Sequence, residues 1–429
     1  MKTVVNPARA SWSQLLKRPT MDLASIEALV RPVMEAVKNE GDAAIQRYTE
    51  KYDGVRLSEW AVSQVEFEVA EASVPAELKA AILQAKANIE AFHTAQQQDE
   101  LKVETMPGVV CYRRSVPIEK VGLYIPGGTA PLFSTALMLA VPAKIAGCKE
   151  IVLCTPPDEN GAINPAILYA AKAVGVTKIF KVGGAQAIAG LTFGTATIPK
   201  VNKIFGPGNQ YVTAAKQLAT KYGLAIDMPA GPSEVAVYAD EAAVPAFVAA
   251  DLLSQAEHGV DSQVVLVAAN EAIVDKVKAE VDQQLQVLPR REFAEKSLAN
   301  SVAVVLGNEA DAVDLLNEYG AEHLILSVKE PWEVANQIIN AGSVFLGNYT
   351  PESAGDYASG TNHTLPTNGY AKMYSGVSLD SYVKKVTYQQ ISAAGIQALG
   401  PVVETMAAAE QLDGHKNAVS LRLKSLKDV

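Results

Sequence analysis

Hydrophobic positions change their spacing twice along this 429-residue chain. From about 22 to 98 they recur at helical intervals, and Pro75-Ala76-Glu77-Leu78 makes a good helix start with proline in the first turn. A hairpin is predicted next, 101–104 against 109–114 around Pro107-Gly108. From Lys120 onward short apolar runs alternate with amphipathic ones. Strands are predicted at 121–125, 150–154, 178–182, 201–205 and 224–226, with helices at 132–145, 164–174, 185–190 and 209–222 between them. A second series follows: helix 244–258, strand 263–268, helix 271–287, strand 302–306, helix 309–319, strand 323–327, helix 331–341 and strand 343–346. Such alternation predicts parallel sheets covered on both faces, and two series predict two α/β lobes. Beyond about Ser378 the pattern reads as helical and separate.

Composition narrows the function classes. A net charge of −10 argues against a nucleic-acid partner, which needs a basic face. Cys111, Cys148 and Cys154 show no CxxC spacing and predict a reducing compartment without a disulfide framework. The uncharged run 121–143 has the length of a membrane span. Pro126-Gly127-Gly128 and Pro131 interrupt it, leaving about a dozen continuous apolar residues, so a buried helix is expected and no membrane association. The first 21 residues carry Lys2, Arg9, Lys17 and Arg18 and no acid, a faint transit-peptide character, but no apolar segment follows. A cytoplasmic protein is expected.

Only five histidines are present, and four stand beside carboxylates, amides or glycines. Gln255 and His258 are three apart near a predicted helix end, on one face, as two ligands of one metal or as a surface amide and a capping imidazole. Asp356 and His363 share a predicted loop of some twenty residues, a length that is usually functional or disordered. Glu322-His323 opens a predicted strand, where a carboxylate beside an imidazole suits acid–base work or is merely solvated. His415 opens the last helix, and His93 has nothing around it and reads as structural. Pro126-Gly127-Gly128, Gly183-Gly184 and Gly206-Pro207-Gly208 each follow a strand and precede a helix, where ligands of open α/β sheets bind. Tyr124, Gln186 and Asn209 project from these turns and are candidate nucleotide contacts, although neither GxGxxG nor a P-loop occurs. Cys148 and Cys154 lie in an apolar setting with no base nearby, as structural thiols do.

Taken together, these stretches resemble the histidinol dehydrogenase family over essentially the whole chain. The most specific blocks are Ile226-Asp227-Met228-Pro229-Ala230-Gly231-Pro232-Ser233-Glu234 and Leu252-Leu253-Ser254-Gln255-Ala256-Glu257-His258-Gly259. Glu322-His323, the 353–366 loop and His415-Lys416-Asn417 complete the set in the family's order. The resemblance implies two incomplete Rossmann-like lobes with a short N-terminal arm and a small helical C-terminal domain. On it, 1–21 is the arm, 22–123 with 235–377 the lobe of catalytic and metal residues, 124–234 the NAD lobe, and 378–429 a dimerisation arm.

It also implies four-electron oxidation of L-histidinol to L-histidine through bound histidinal, with two NAD, as the last step of histidine biosynthesis. One zinc per subunit would be held by Gln255, His258, Asp356 and His415, an N/O set suited to that ion. Ser233, His323, His363 and Glu410, with the four ligands, would surround the substrate. Tyr124, Gln186 and Asn209 would contact NAD, and Glu322 and His323 would carry protons. Glu410 and His415 would cross to a partner subunit, so a homodimer with shared active sites is expected. Two rivals remain: a thiohemiacetal mechanism at Cys148 or Cys154, and a zinc-dependent binding protein without catalysis.

Overall fold

Short runs of β-branched and aliphatic residues become strands where neighbouring strands pair along their edges and helices cover both of their faces. The computed structural model describes residues 1–19, 23–127 and 131–427. In chain order its strands are β1 (Lys2–Val5), β2 (Leu101–Met106), β3 (Val109–Pro117), β4 (Lys120–Tyr124), β5 (Glu150–Thr155), β6 (Lys178–Lys181) and β7 (Lys203–Phe205). They continue as β8 (Ala225–Ile226), β9 (Glu234–Ala239), β10 (Gln263–Ala268), β11 (Val302–Val305), β12 (His323–Ser327), β13 (Ser343–Leu346) and β14 (Val383–Ile391). Two parallel sheets result, ordered β6-β5-β4-β7-β8 and β1-β11-β10-β9-β12-β13. They share one compact unit, residues 1–95 and 118–381. Every position of β9 and β10 is buried, the signature of parallel strands covered on both faces. The fold is α/β, as the alternation predicts. No helix among the described residues is long and apolar enough to cross a membrane. The apolar run 121–143 is divided between β4 and the helix Phe133–Ala146.

Several elements depart from the sequence reading. Residues 1–19 are tied into the six-stranded lobe: β1 pairs in parallel with β11, and Trp12 and Leu16 are buried there. The helices within 23–94 do form and pack on the five-stranded sheet, and Asn88 also donates to the Ala358 carbonyl, two residues past Asp356. Leu23–Glu40 lies against Gly184–Phe193 and Gln210–Lys221, and Ala76–Thr94 against Phe133–Ala146. Ile26, Val33, Met34 and Ile45 share a core with Val152, Ile188 and Ile204. Strand β4, at the edge of the expected boundary at 123/124, is central to that same sheet. Strand β9 was not foreseen. Its uniformly apolar Val-Ala-Val-Tyr-Ala lacks the alternation that marks a half-buried strand, and a short buried run has no period of its own.

The second unit comprises residues 96–117 and 382–429. Its hairpin, β2 and β3, is as expected, but the tail is not wholly helical. Val383–Ile391 forms β14, paired antiparallel with β3 over nine residues. Val, Thr, Tyr and Ile favour extended backbone once the hairpin offers an edge. Two helices follow, Ala393–Ala409 and Asp413–Ser425, packed on each other.

Residue 234, where β9 begins, is anchored from the N-terminal segment. Arg18 donates from Nε and Nη2 to the two carboxylate oxygens of Glu234, at 2.5 and 2.9 Å, and from Nη2 to the Tyr319 carbonyl at 2.8 Å. Its guanidinium also stands 4.0 Å above the Tyr319 ring. The Glu234 side chain is only 2% exposed, so deleting its partner strands a buried charge. Arg18→Met is therefore expected to destabilise the protein by about 3–5 kcal/mol in urea unfolding. A loss under about 1 kcal/mol, the value of an exposed pair, would contradict this.

Candidate active site and nucleotide cavity

His323 begins β12, in register with Val235 of β9 and Ser343 of β13. The imidazole is 4% exposed and ringed by acids. Its Nδ1 lies 3.7 Å from Glu322 Oε2 and 3.9 Å from Glu352 Oε1, and its Nε2 lies 3.4 Å from Asp356 Oδ1. Glu322 Oε2 accepts from the Glu234 amide at 3.0 Å, so the strand anchored by Arg18 also holds the carboxylate. The candidate residues gather at the amino ends of β9 and β12, opposite to the carboxyl-end rule for open α/β sheets.

Glu352 and Asp356 come from one short helix, Glu352–Tyr357, where a loop is expected from the sequence. Four residues apart, they share a helix face. Gln255, fully buried at the end of Pro245–Ala256, places its amide nitrogen 2.5 Å from Glu352 Oε1 and its oxygen 2.6 Å from the Glu234 amide. His258, just past that helix, is exposed on the open side of the cluster. Its ring and the carboxylates of Glu352 and Asp356 bring three ligand atoms within 4.8 Å of one another. Glu352 Oε2 and His323 Nε2 are buried without hydrogen-bond partners. An orphaned carboxylate oxygen within an N/O donor set fits a divalent cation such as zinc.

His363 Nδ1 contacts the Asp356 carbonyl at 2.8 Å, and its Nε2 contacts Thr135 Oγ1 at 3.0 Å, while Asn362 donates to the Met138 carbonyl. The Asp356 segment is thus tied to the helix that covers the other sheet. Ser233 immediately precedes Glu234, with its carbonyl accepting from the Gln263 amide.

Charges follow from this crowding. Burial pushes the Glu322 carboxyl up to about 8, against the opposing pull of His323 and the Glu234 amide. Burial likewise raises Glu352. Burial opposes charge on His323, but Glu352, Glu322 and Asp356 outweigh it and raise the imidazole above its ordinary range. Asp356 is held below the usual carboxylate range despite its burial, because His323 pairs with it. Burial keeps His363 below its ordinary value. The crowding thus disfavours charge on Glu322 and Glu352 and favours it on His323 and Asp356.

The five-stranded sheet reverses strand order between β4 and β7. Near that reversal lies a cavity of about 790 Å³ lined by Tyr124, Gln186, Asn209, Asp53, Tyr52 and Tyr211, among others. The Tyr124 hydroxyl accepts from the Gly184 amide at 3.0 Å. Asn209 caps the helix Gln210–Lys221, its Oδ1 accepting from Tyr211 and Val212 amides. A Cβ on Gly206, at φ +124°, would meet the Tyr124 carbonyl at 2.1 Å, so the turn beside the cavity requires glycine. Gly128 of the first glycine turn lies outside the described residues.

The first unit thus brings together Gln255, His258, Glu322, His323, Asp356 and His363, and separately Tyr124, Gln186 and Asn209. Glu410 and His415 lie on the second unit, the first at the end of Ala393–Ala409 and the second in the opening turn of Asp413–Ser425, both exposed. His93 is fully buried and bonded to the Ile89 carbonyl of its own helix. Sequence reasoning missed Glu352 and Asp53. Pro351-Glu352 is itself a helix-start signal, and it would have put Glu352 and Asp356 on one face. Among the described residues no cysteine is in a disulfide. Burial pushes the Cys148 thiol up to about 11 and Cys154 further, the opposite of what a thiol nucleophile needs.

Two parallel sheets, a buried acid–base cluster and a cavity of about 790 Å³ at a strand-order reversal define an α/β protein built as an enzyme. The family model of histidinol dehydrogenase matches residues 16–423. A histidinol dehydrogenase from Bacteroides fragilis is 60% identical over 427 residues, covering 100% of both chains. The chloroplastic histidinol dehydrogenase of Arabidopsis thaliana is 54% identical, covering 96% of this chain and 89% of its own. The crystal structure of histidinol dehydrogenase from Elizabethkingia anophelis superposes with a TM-score of 0.98 at 55% identity, covering 100% of this chain and 99% of that one. The chain belongs to the histidinol dehydrogenase family, that of the histidine-biosynthesis oxidoreductase.

Proposed function

We propose that this chain oxidises L-histidinol to L-histidine in two successive two-electron steps, with two NAD and one zinc ion per subunit. The observation that carries this reading is the His323 imidazole, buried among Glu322, Glu352 and Asp356 at 3.7, 3.9 and 3.4 Å. Gln255, His258 and Asp356, with His415 of the partner subunit, would hold the zinc. Bound there, zinc would supply a positive charge that binds the substrate and offsets the acidic charge around His323. Tyr124, Gln186 and Asn209 would hold NAD, which would supply the hydride acceptor.

The chain's own groups move the protons. In the first step His323 takes the hydroxyl proton of histidinol as a hydride leaves carbon, giving histidinal and NADH. Glu322 then takes a proton from water as the water oxygen adds to the aldehyde, while His323 returns its proton to the aldehyde oxygen, giving the hydrate and a neutral imidazole. His323 accepts a hydroxyl proton from the hydrate as the second hydride leaves, giving the carboxyl group and a second NADH. Glu352 fixes the orientation of the Gln255 amide, whose nitrogen faces its Oε1 at 2.5 Å once the oxygen is assigned to the Glu234 amide. Ser233 and His363, with Glu410 of the partner subunit, would enclose the substrate. The enzyme works as a homodimer with shared sites, and thiols that form no disulfide among the described residues suit the reducing cytoplasm.

Chelation is expected to remove zinc and abolish turnover, with zinc restoring it. His258→Ala and Asp356→Ala should each be purified without metal, since an incomplete ligand shell binds poorly. Gln255→Ala should be milder, its neutral amide being the weakest donor. Full zinc occupancy in the His258 or Asp356 variant, by elemental analysis, would contradict the ligand assignment.

A further inference from the structure

The cavity beside Tyr124 holds an acid that neither the proton-moving pair nor the cation cluster uses. Asp53 caps the C-terminus of the helix Asp42–Tyr52 and, among the described residues lining this cavity, is the only carboxylate. Gln186 Nε2 donates to Asp53 Oδ2 at 3.2 Å. Gln186 is itself 1% exposed, and its Oε1 has no partner. The bond to Asp53 thus fixes which way the amide faces and leaves a buried acceptor awaiting a donor. Tyr52 is 56% exposed and stacks on Tyr48 with centroids 5.8 Å apart and planes 9° apart, a flat wall suited to a base. Burial pushes the Asp53 carboxyl up to about 6, opposed by the Gln186 bond, so it is mainly ionised at neutral pH.

An ionised carboxylate only accepts hydrogen bonds. It attracts hydroxyl donors and repels phosphate. The two nicotinamide dinucleotides differ at one place, the adenosine ribose, which carries a free 2′-hydroxyl in NAD and a 2′-phosphate in NADP. We propose that Asp53 selects NAD over NADP, its carboxylate accepting from a ribose hydroxyl and excluding a 2′-phosphate. The inference rests on the reading of this cavity as the NAD site. Lys51 also lines the cavity, its ammonium 5.0 Å from the centre of the Tyr52 ring. It offers a cation to a 2′-phosphate once the carboxylate is gone.

Isothermal titration of NAD and NADP into the full-length, zinc-loaded protein tests this, with wild type compared to Asp53→Asn and Gln186→Leu. Asp53→Asn is expected to weaken NAD and tighten NADP, lowering the preference for NAD on the order of tenfold, as loss of one charge-assisted hydrogen bond predicts. L-Histidinol binding should not change. Equal weakening of both dinucleotides by Asp53→Asn would overturn the inference, because Asp53 would then act only by holding Gln186. An unchanged preference, with NAD weakened by Gln186→Leu, would overturn the inference while leaving the cavity as the NAD site. NAD affinity indifferent to both substitutions would overturn the cavity reading as well.

Discussion

Glu322→Gln slows oxidation of histidinal far more than oxidation of histidinol, while His323→Ala impairs both. Only the aldehyde step consumes a water, so only that step needs a second base. Glutamine keeps the shape of Glu322 and a carbonyl acceptor for the Glu234 amide, so the 3.0 Å contact survives and the proton-accepting oxygen is lost. Losses on the order of 10²–10⁴-fold are expected from removing such a base. Burial places the Glu322 carboxyl at about 8, so histidinal oxidation should rise with pH through that region as the residue loses its proton. The rising limb should be absent in Glu322→Gln. Single-turnover measurements starting from each substrate would check this. Equal slowing of both halves, or the same limb in the variant, would contradict the assignment of Glu322 to the water.

Mixing His258→Ala and His415→Ala proteins, each inactive alone, should restore activity once subunits exchange. His258 belongs to the first compact unit and His415 to the second, on an exposed helix turn. If the site is completed across a two-fold axis, a mixed dimer has one site with both substitutions and one with neither. Random pairing of equal amounts makes half the dimers mixed, so recovery reaches at most about a quarter of wild type, given the isologous symmetry expected of a homodimer. No recovery despite heterodimer formation, followed by native mass spectrometry, would mean that His415 serves its own chain.

Much of this arrangement is legible before any coordinates. Strand–helix alternation announces the two parallel sheets, because short apolar runs between longer amphipathic stretches mark strands covered on both faces. Gln255, His258, Glu322, His323 and Asp356 stand out because amides, imidazoles and acids next to glycines or helix ends are informative types. The illegible parts have physical causes. Buried on both faces, β9 has no alternation to read. Which sheet the 23–94 helices cover is a tertiary choice, since an amphipathic face fits either. Strand β14 depends on a hairpin edge some 270 residues earlier in the chain. Glu352 looks like a surface acid in sequence, and only the helix that turns it toward Gln255 and His323 buries it. Asp53 is hidden in the same way, since its value lies in a cavity built from six separate chain segments.

The central claim is a four-electron oxidation completed on one protein, and its most direct test is stoichiometry. A limiting, weighed amount of L-histidinol is incubated with the zinc-loaded protein and excess NAD until absorbance stops rising. Two NADH per histidinol, with L-histidine as the product by chromatography, is the predicted result. One NADH per histidinol with histidinal released, or none at all, would contradict it.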